Sequence, residues 1–97
     1  MTGALRPLLV VNPRSGGGRT GRVFPRMRAA IEKALGPVDV EWTERGGHGI
    51  ELARAGAEAG HALVVAVGGD GTFNEVCNGV LLAREAGGVY ARVGLSR

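Results

Sequence analysis

The sequence predicts an α/β fold: a parallel β-sheet with helices packed on both of its faces. Three observations predict it. Short apolar runs alternate with segments of helical periodicity, giving the order βαβαβα(β). Two of the runs, Leu8–Val11 and Ala62–Val67, are apolar at every position, which suits strands covered on both faces. A glycine-rich stretch follows each of the first three strands, at the sheet edge where open parallel sheets receive ligands.

The first strand is predicted over Leu5–Val11 and leads into a polar, glycine-rich loop over Asn12–Gly21. Val23, Met27, Ala30, Ile31 and Ala34 then fall on one face of a helix. Pro25 has no backbone N–H to donate, so it belongs in that helix's first turn. Gly36-Pro37 ends the helix. Val38–Thr43 alternates Val38, Val40 and Trp42 with polar neighbours, as in a strand with one wetter face. Arg45–Gly49 is a second glycine-rich loop. An alanine-rich helix runs from Ile50 to Ala59, weakened at Gly56 by about 1 kcal/mol relative to alanine.

Ala62–Val67 is the third strand, followed by the loop Gly68-Gly69-Asp70-Gly71-Thr72. Phe73, Val76, Cys77, Val80 and Leu81 share one face of the next helix, with Cys77 as a core filler. Thr72-Phe73-Asn74-Glu75 reads as a capping box, Thr72 at the N-cap and Glu75 three residues on. Val89–Leu95 is a fourth strand. The expected architecture is therefore a three-layer, Rossmann-like parallel sheet with right-handed crossovers.

Composition narrows the function. Of 97 residues, 18 are Gly and 4 are Pro, nearly twice the usual share of about 12%. A 44% hydrophobic content and a net charge of only +3 nevertheless fit a folded domain. The apolar runs are too short to span a bilayer, and Asn12-Pro13 ends the first one too early for a secretory leader. A cytoplasmic location is expected. The single cysteine, Cys77, allows neither an internal disulfide nor a cysteine metal cluster. Residues 1–28 carry six arginines and no acid. That basic front suits a polyanion, which includes phosphates, nucleic acid and an anionic membrane surface; an ordinary solvated helix face has the same composition.

Ten of the glycines fall within 16–21, 46–49 and 68–71. Glycine there permits left-handed turns and lets backbone N–H groups approach an anion with no Cβ in the way. Helix N-termini add further N–H donors and partial positive charge, so phosphate is the natural guest. Neither common nucleotide signature is present: the first loop lacks the lysine of the P-loop, and the third lacks the dinucleotide-binding spacing.

The string Val67-Gly68-Gly69-Asp70-Gly71-Thr72-Phe73-Asn74-Glu75-Val76-Cys77-Asn78-Gly79 resembles the signature of the diacylglycerol kinase and sphingosine kinase superfamily, GGDGT followed by N-E-x-x-N-G. Asn12-Pro13-Arg14-Ser15-Gly16-Gly17 resembles that family's first nucleotide loop, and Thr43, with Gly47-His48 after it, its threonine beyond the second strand. The resemblance implies an ATP-dependent lipid kinase using Mg²⁺, with a lipid such as diacylglycerol presented at a membrane surface. It implies ATP contacts at Asn12, Pro13, Arg14, Ser15 and Gly16, at Thr43, and at Gly68, Gly69, Asp70, Gly71, Thr72, Phe73, Asn74 and Glu75. Asp70 would be the catalytic residue, facing the γ-phosphate, its Mg²⁺ or the acceptor hydroxyl. Such chemistry rests mainly on positioning and charge neutralisation. The resemblance covers the front, ATP-binding part of a two-domain catalytic unit, whose β-rich second domain supplies much of the lipid site. The 97-residue chain is thus expected to be a fragment that binds nucleotide without phosphorylating lipid alone.

Several of these residues have plainer readings. Asp70 and Asn12 are also turn formers, Thr72 and Glu75 also helix caps, and His48 and His61 also structural or solvated. Two other functions compete: an NAD-kinase-like phosphotransferase, whose family shares GGDGT, and a non-catalytic anion- or nucleic-acid-binding module using the arginines. Asn74-Glu75, Asn78-Gly79 and the first loop favour the lipid kinase, and Phe24 alone offers no stacking platform for nucleic acid.

Overall fold

The structure, a computed structural model, describes residues 5–87 and 91–96. Its elements alternate as expected: β1 (Leu8–Val11), α1 (Arg19–Leu35), β2 (Asp39–Trp42), α2 (His48–Ala59), β3 (Leu63–Val67), α3 (Asp70–Gly87) and β4 (Arg92–Ser96). The four strands form one parallel sheet in the order β2-β1-β3-β4. Leu8 pairs with Asp39 on one side and Val64 on the other, so β1 is central. The chain leaves β1 for β2 on one side, then crosses back past β1 to β3 on the other. The gap between the ends of β1 and β3 is therefore the topological switch point.

Strand alternation sorts the core into two layers. Leu8, Val10, Val64 and Ala66 face α2 and α3, meeting Ala53, Ala57, Val76, Val80 and Ala83. Leu9, Val11, Val65 and Val67 face the opposite side and meet Phe24, Met27 and Ile31 of α1. That double coverage is why the two central strands are apolar at consecutive positions.

The α2–α3 layer is built from small residues. A Cβ on Gly79 would collide with the Ile50 carbonyl oxygen and lie 2.9 Å from both Ala53 Cβ and Arg54 N. A Cβ on Gly56 would overlap Leu8 Cδ2. Gly56 thus costs α2 some intrinsic stability, and in exchange lets the helix sit directly on β1.

Four expectations need correction. Helix α1 begins at Arg19, so Pro25 lies inside it, beyond the first turn. The early start follows from Gly18, whose left-handed φ of 92° turns the chain into the helix ahead of any apolar residue. The inward stripe of α1 is Phe24, Met27 and Ile31, while Ala30 and Ala34 are exposed. Phe24 also meets Trp42 edge-on, ring centroids 4.9 Å apart. In α3, Leu81 is 50% exposed and Cys77 only half-buried, because the buried face runs through Thr72, Val76, Gly79, Val80 and Ala83.

The fourth correction concerns the start of α3. It begins at Asp70, with the Phe73 N–H donating to the Gly69 carbonyl at 3.1 Å. Thr72 is already inside the helix and is not its N-cap. The strand expected at Val89–Leu95 is observed as Arg92–Ser96, and its Val89 and Tyr90 lie outside the described residues.

Candidate functional site

All three glycine-rich segments lie at the carboxyl edge of the sheet, but they do not form one surface. Each is built differently, and the differences decide where an anion can sit.

The first loop folds back on itself. Asn12 Oδ1 accepts from the Arg14 N–H at 3.0 Å, an Asx turn that fixes Pro13 and Arg14. Gly16, Gly17 and Gly18 all have positive φ, at 64°, 67° and 92°. The amides of Gly18, Arg19, Thr20 and Gly21 donate to the carbonyls of Arg14, Gly16, Ser15 and Pro13. The opening amides of α1 are therefore committed within the loop. Ser15 Oγ pairs with Thr20 Oγ1, tying the loop to the first turn of α1.

The second loop is held from a distance. Thr43 extends β2 by donating to the Val11 carbonyl at 2.8 Å, and its side chain is buried. His48 Nδ1 accepts from the Glu44 N–H at 2.9 Å, which gives the ring a structural job. The Gly47 and Gly49 amides, at the N-terminus of α2, donate to Glu75 Oε2 and Oε1 at 3.1 and 3.0 Å. Glu75 therefore caps α2, not its own helix, and the expected capping box is not formed. Arg45 bonds Glu51 alongside, and that hydrogen bond holds the Glu51 carboxyl below its ordinary range. Both side chains are largely exposed, so the pair contributes little to stability.

The third loop is shortest, only Gly68 and Gly69. The Gly68 amide donates to the Ser96 carbonyl at 3.2 Å, prolonging the sheet. A Cβ on Gly68 would lie 2.7 Å from Thr72 Oγ1 and 3.1 Å from Ser15 Oγ. Only glycine lets the first and third loops come together at this point. Between them is a crevice of about 250 Å³ lined by Ser15, Gly16, Arg19, Thr20, Gly68, Gly69 and Asp70. It sits at the switch point and opens on the first turn of α3, where helical geometry concentrates N–H groups and positive potential.

Of the residues expected to bind ATP, the structure brings Ser15, Gly16, Gly68, Gly69 and Asp70 to this crevice. Asn12, Pro13 and Arg14 shape the loop behind it. Phe73 packs on the core, Thr72 is buried beside Gly68, and Thr43 and Glu75 belong to the second loop. Gly71 and Asn74 are exposed on α3. Arg19 and Thr20 lie outside the motif residues; they join the crevice because α1 starts at Arg19 and its first turn lines the site with Gly68. His61 is structural, its Nδ1 pairing with the Arg6 carbonyl at 2.6 Å.

A larger groove of about 500 Å³ lies elsewhere, between α1 and the β3–β4 face. Met27, Ile31, Leu63, Val65 and Leu95 line it, and none of its lining residues is charged. Among the described residues, no three His, Cys, Asp or Glu side chains cluster to hold a metal. No helix of those residues is long and apolar enough to cross a membrane.

Comparison with known proteins agrees with the geometry. Residues 6–92 match the family model described as the diacylglycerol kinase catalytic domain. The chain is 40% identical over 80 residues to sphingoid long-chain bases kinase 1 of Arabidopsis thaliana, covering 80% of this chain and 10% of that one. It is 37% identical over 75 residues to a diacylglycerol kinase of Staphylococcus epidermidis, covering 77% and 24% respectively. A solved diacylglycerol kinase of Bacillus anthracis superposes with a TM-score of 0.75 at 22% identity, over 98% of this chain and 33% of that one. That structural likeness establishes the fold alone. The chain thus spans between a tenth and a quarter of the length of these two sequence relatives.

Proposed function

Because the chain belongs to the diacylglycerol kinase catalytic-domain family, we propose that it is the ATP-binding part of a lipid kinase, which transfers the γ-phosphoryl group of ATP to a lipid hydroxyl such as that of diacylglycerol. One observation carries this reading: the loops after β1 and β3 meet at the switch point in a crevice lined by glycine backbone, Arg19 and Asp70. The absent side chains at Gly68 and Gly69 let phosphate oxygens approach the backbone, and the start of α3 adds helix-terminal N–H groups. Arg19 supplies fixed positive charge beside them. Ser15 and Thr20 hold the wall of the crevice in place through their shared hydrogen bond.

The donor set suits a Mg²⁺ carried by the nucleotide. Mg²⁺ keeps several waters and takes one or two carboxylates beside substrate phosphates, and Asp70 is the carboxylate lining this crevice. When bound, the ion neutralises charge developing on the phosphates. Asp70 would face it, or would orient the acceptor hydroxyl and take up its proton as that oxygen forms the new P–O bond and the bond to ADP breaks. Lipid presentation at a membrane surface belongs to the same proposal, as does inactivity of the 97-residue chain on its own.

Titration of the 97-residue chain with Mg-ATP, read by amide chemical shifts, tests the reading. Shifts are expected at Ser15, Gly16 and Gly68–Asp70. Shifts confined to the apolar groove, or none at all, would overturn it. Turnover of diacylglycerol by this chain alone, abolished by Asp70→Asn, would refute the proposed inactivity.

A further inference from the structure

We propose that the groove between α1 and the β3–β4 face binds one hydrocarbon chain of a lipid phosphate, whose phosphate is held beside it by Arg19 and Arg26. The class of ligand rests on the lipid-kinase reading above, since a phosphorylated lipid is the product of that reaction. The apolar face of α1 is wider than the sheet it covers. Helical spacing puts Val23, Met27, Ala30, Ile31 and Ala34 on one face. Met27 and Ile31 meet the core with Phe24, whereas Ala30 and Ala34 stay exposed. Among the described residues, α1 is the only helix on its side of the sheet, because α2 and α3 pack on the other. Beyond α1 the sheet is therefore open along β3 and β4, where Leu95 is 38% exposed; at the end of α1, Leu35 is 45% exposed. The groove of about 500 Å³ lies within the range of small-molecule sites. Ala30, Ala34 and Gly94 line it with little or no side chain to fill it.

The groove is continuous with the phosphate crevice. Met27 and Ala30 also line an adjoining hollow of about 370 Å³, whose other residues are Arg19, Val23 and Arg26. Arg19 in turn lines the crevice with Gly68 and Asp70. Crevice, arginine hollow and uncharged groove thus follow one another along α1, each sharing a residue with the next. Arg19 and Arg26 are both exposed and lie about two turns apart, on one side of the helix. From Arg26 to Leu35 the helix rises about 14 Å, the length over which a chain can lie. Charge and polarity together select the occupant. A guanidinium pairs strongly with phosphate, and the apolar stretch beyond it gains only from hydrocarbon. A neutral lipid would leave the arginines unused, and a nucleic acid would leave the groove unused.

Titration of the 97-residue chain with monomeric dodecyl phosphate, read by amide chemical shifts, tests the proposal. Shifts are expected at Ala30, Ala34, Leu63, Val65 and Leu95. Decyl phosphate should bind about tenfold more weakly, because two fewer methylenes are buried. Arg26→Ala should weaken dodecyl phosphate about tenfold. Gly94→Val should do the same by filling the groove. A Cβ at Gly94 makes only ordinary contacts, 3.5 Å from Val65 and 3.8 Å from Leu63, so the sheet can accept it. Should that variant fail to fold, Ala30→Glu at an exposed helical position carries the same comparison. Absence of shifts in the groove, or equal affinity for dodecyl maltoside, would overturn the proposal. A dimer that Gly94→Val dissociates would overturn it in favour of a second copy of the chain. Mg-ATP shifts at the crevice with no dodecyl phosphate binding would overturn the lipid groove and leave the nucleotide reading intact. Dodecyl phosphate binding in a chain that ignores Mg-ATP would support the groove and overturn the nucleotide reading.

Discussion

Individual residues in this protein are chosen as much for what they leave out as for what they supply. Gly79 is the sharpest case, since α2 crosses α3 where a methyl group would meet the Ile50 carbonyl and the Arg54 amide. Neither backbone atom can retreat without breaking its own helix, so the added volume becomes strain. Gly79→Ala is expected to cost about 3 kcal/mol in urea denaturation, near the upper end of overpacking penalties. Gly87→Ala is the control, because a Cβ there meets nothing within 4 Å. That change should be neutral or stabilising by about 0.4–1 kcal/mol. A gain at Gly79 equal to that at Gly87 would mean that helix propensity, not contact between helices, governs both sites.

Among the elements, α1 departs furthest from its sequence pattern. Its apolar residues predict a helix opening near Val23, with Pro25 in the first turn, and the glycine-rich loop disguises the turn that precedes it. The early start costs one hydrogen bond, since Pro25 cannot donate to Gly21 four residues before. Pro25 is exposed. Pro25→Ala is therefore expected to stabilise the chain by about 1–3 kcal/mol, read as a raised denaturation midpoint at unchanged m-value. A loss of stability would show instead that the proline ring shapes the loop against which Gly21 and Pro13 bond. The cap of α2 is an equally non-local feature. Local pattern pairs Glu75 with Thr72, because the two are three residues apart. The folded chain offers Glu75 two glycine amides at once, and bidentate acceptance by a carboxylate outweighs a single bond within its own first turn.

At the scale of the whole molecule, the strand order sets where the proposed site lies. Placing β1 between β2 and β3 brings the first and third loops together and sets the second aside. In the proposed reading, Mg-ATP binds at the resulting crevice and so only to the folded chain. Saturation at about a hundred times its dissociation constant should therefore stabilise the fold by about 2.7 kcal/mol. Removing Mg²⁺ with a chelator should lose most of that gain, because the phosphates would then face the Asp70 carboxylate with no ion between them. Equal stabilisation by ATP with and without Mg²⁺ would place the nucleotide away from Asp70.

The sequence by itself determined the α/β class, the order of the elements, the two-faced burial of β1 and β3, and the edge where glycine gathers. Those features are legible because each depends on neighbours within a dozen residues: period, run length and turn chemistry. Only the tertiary structure decided which loops meet, that Arg19 and Thr20 join them, and that Glu75 closes the N-terminus of α2. The physical reason is that a backbone amide carries no mark of its partner. Whether it faces an anion, a carbonyl in its own loop or a carboxylate 28 residues away is settled only when the strands take their places in the sheet.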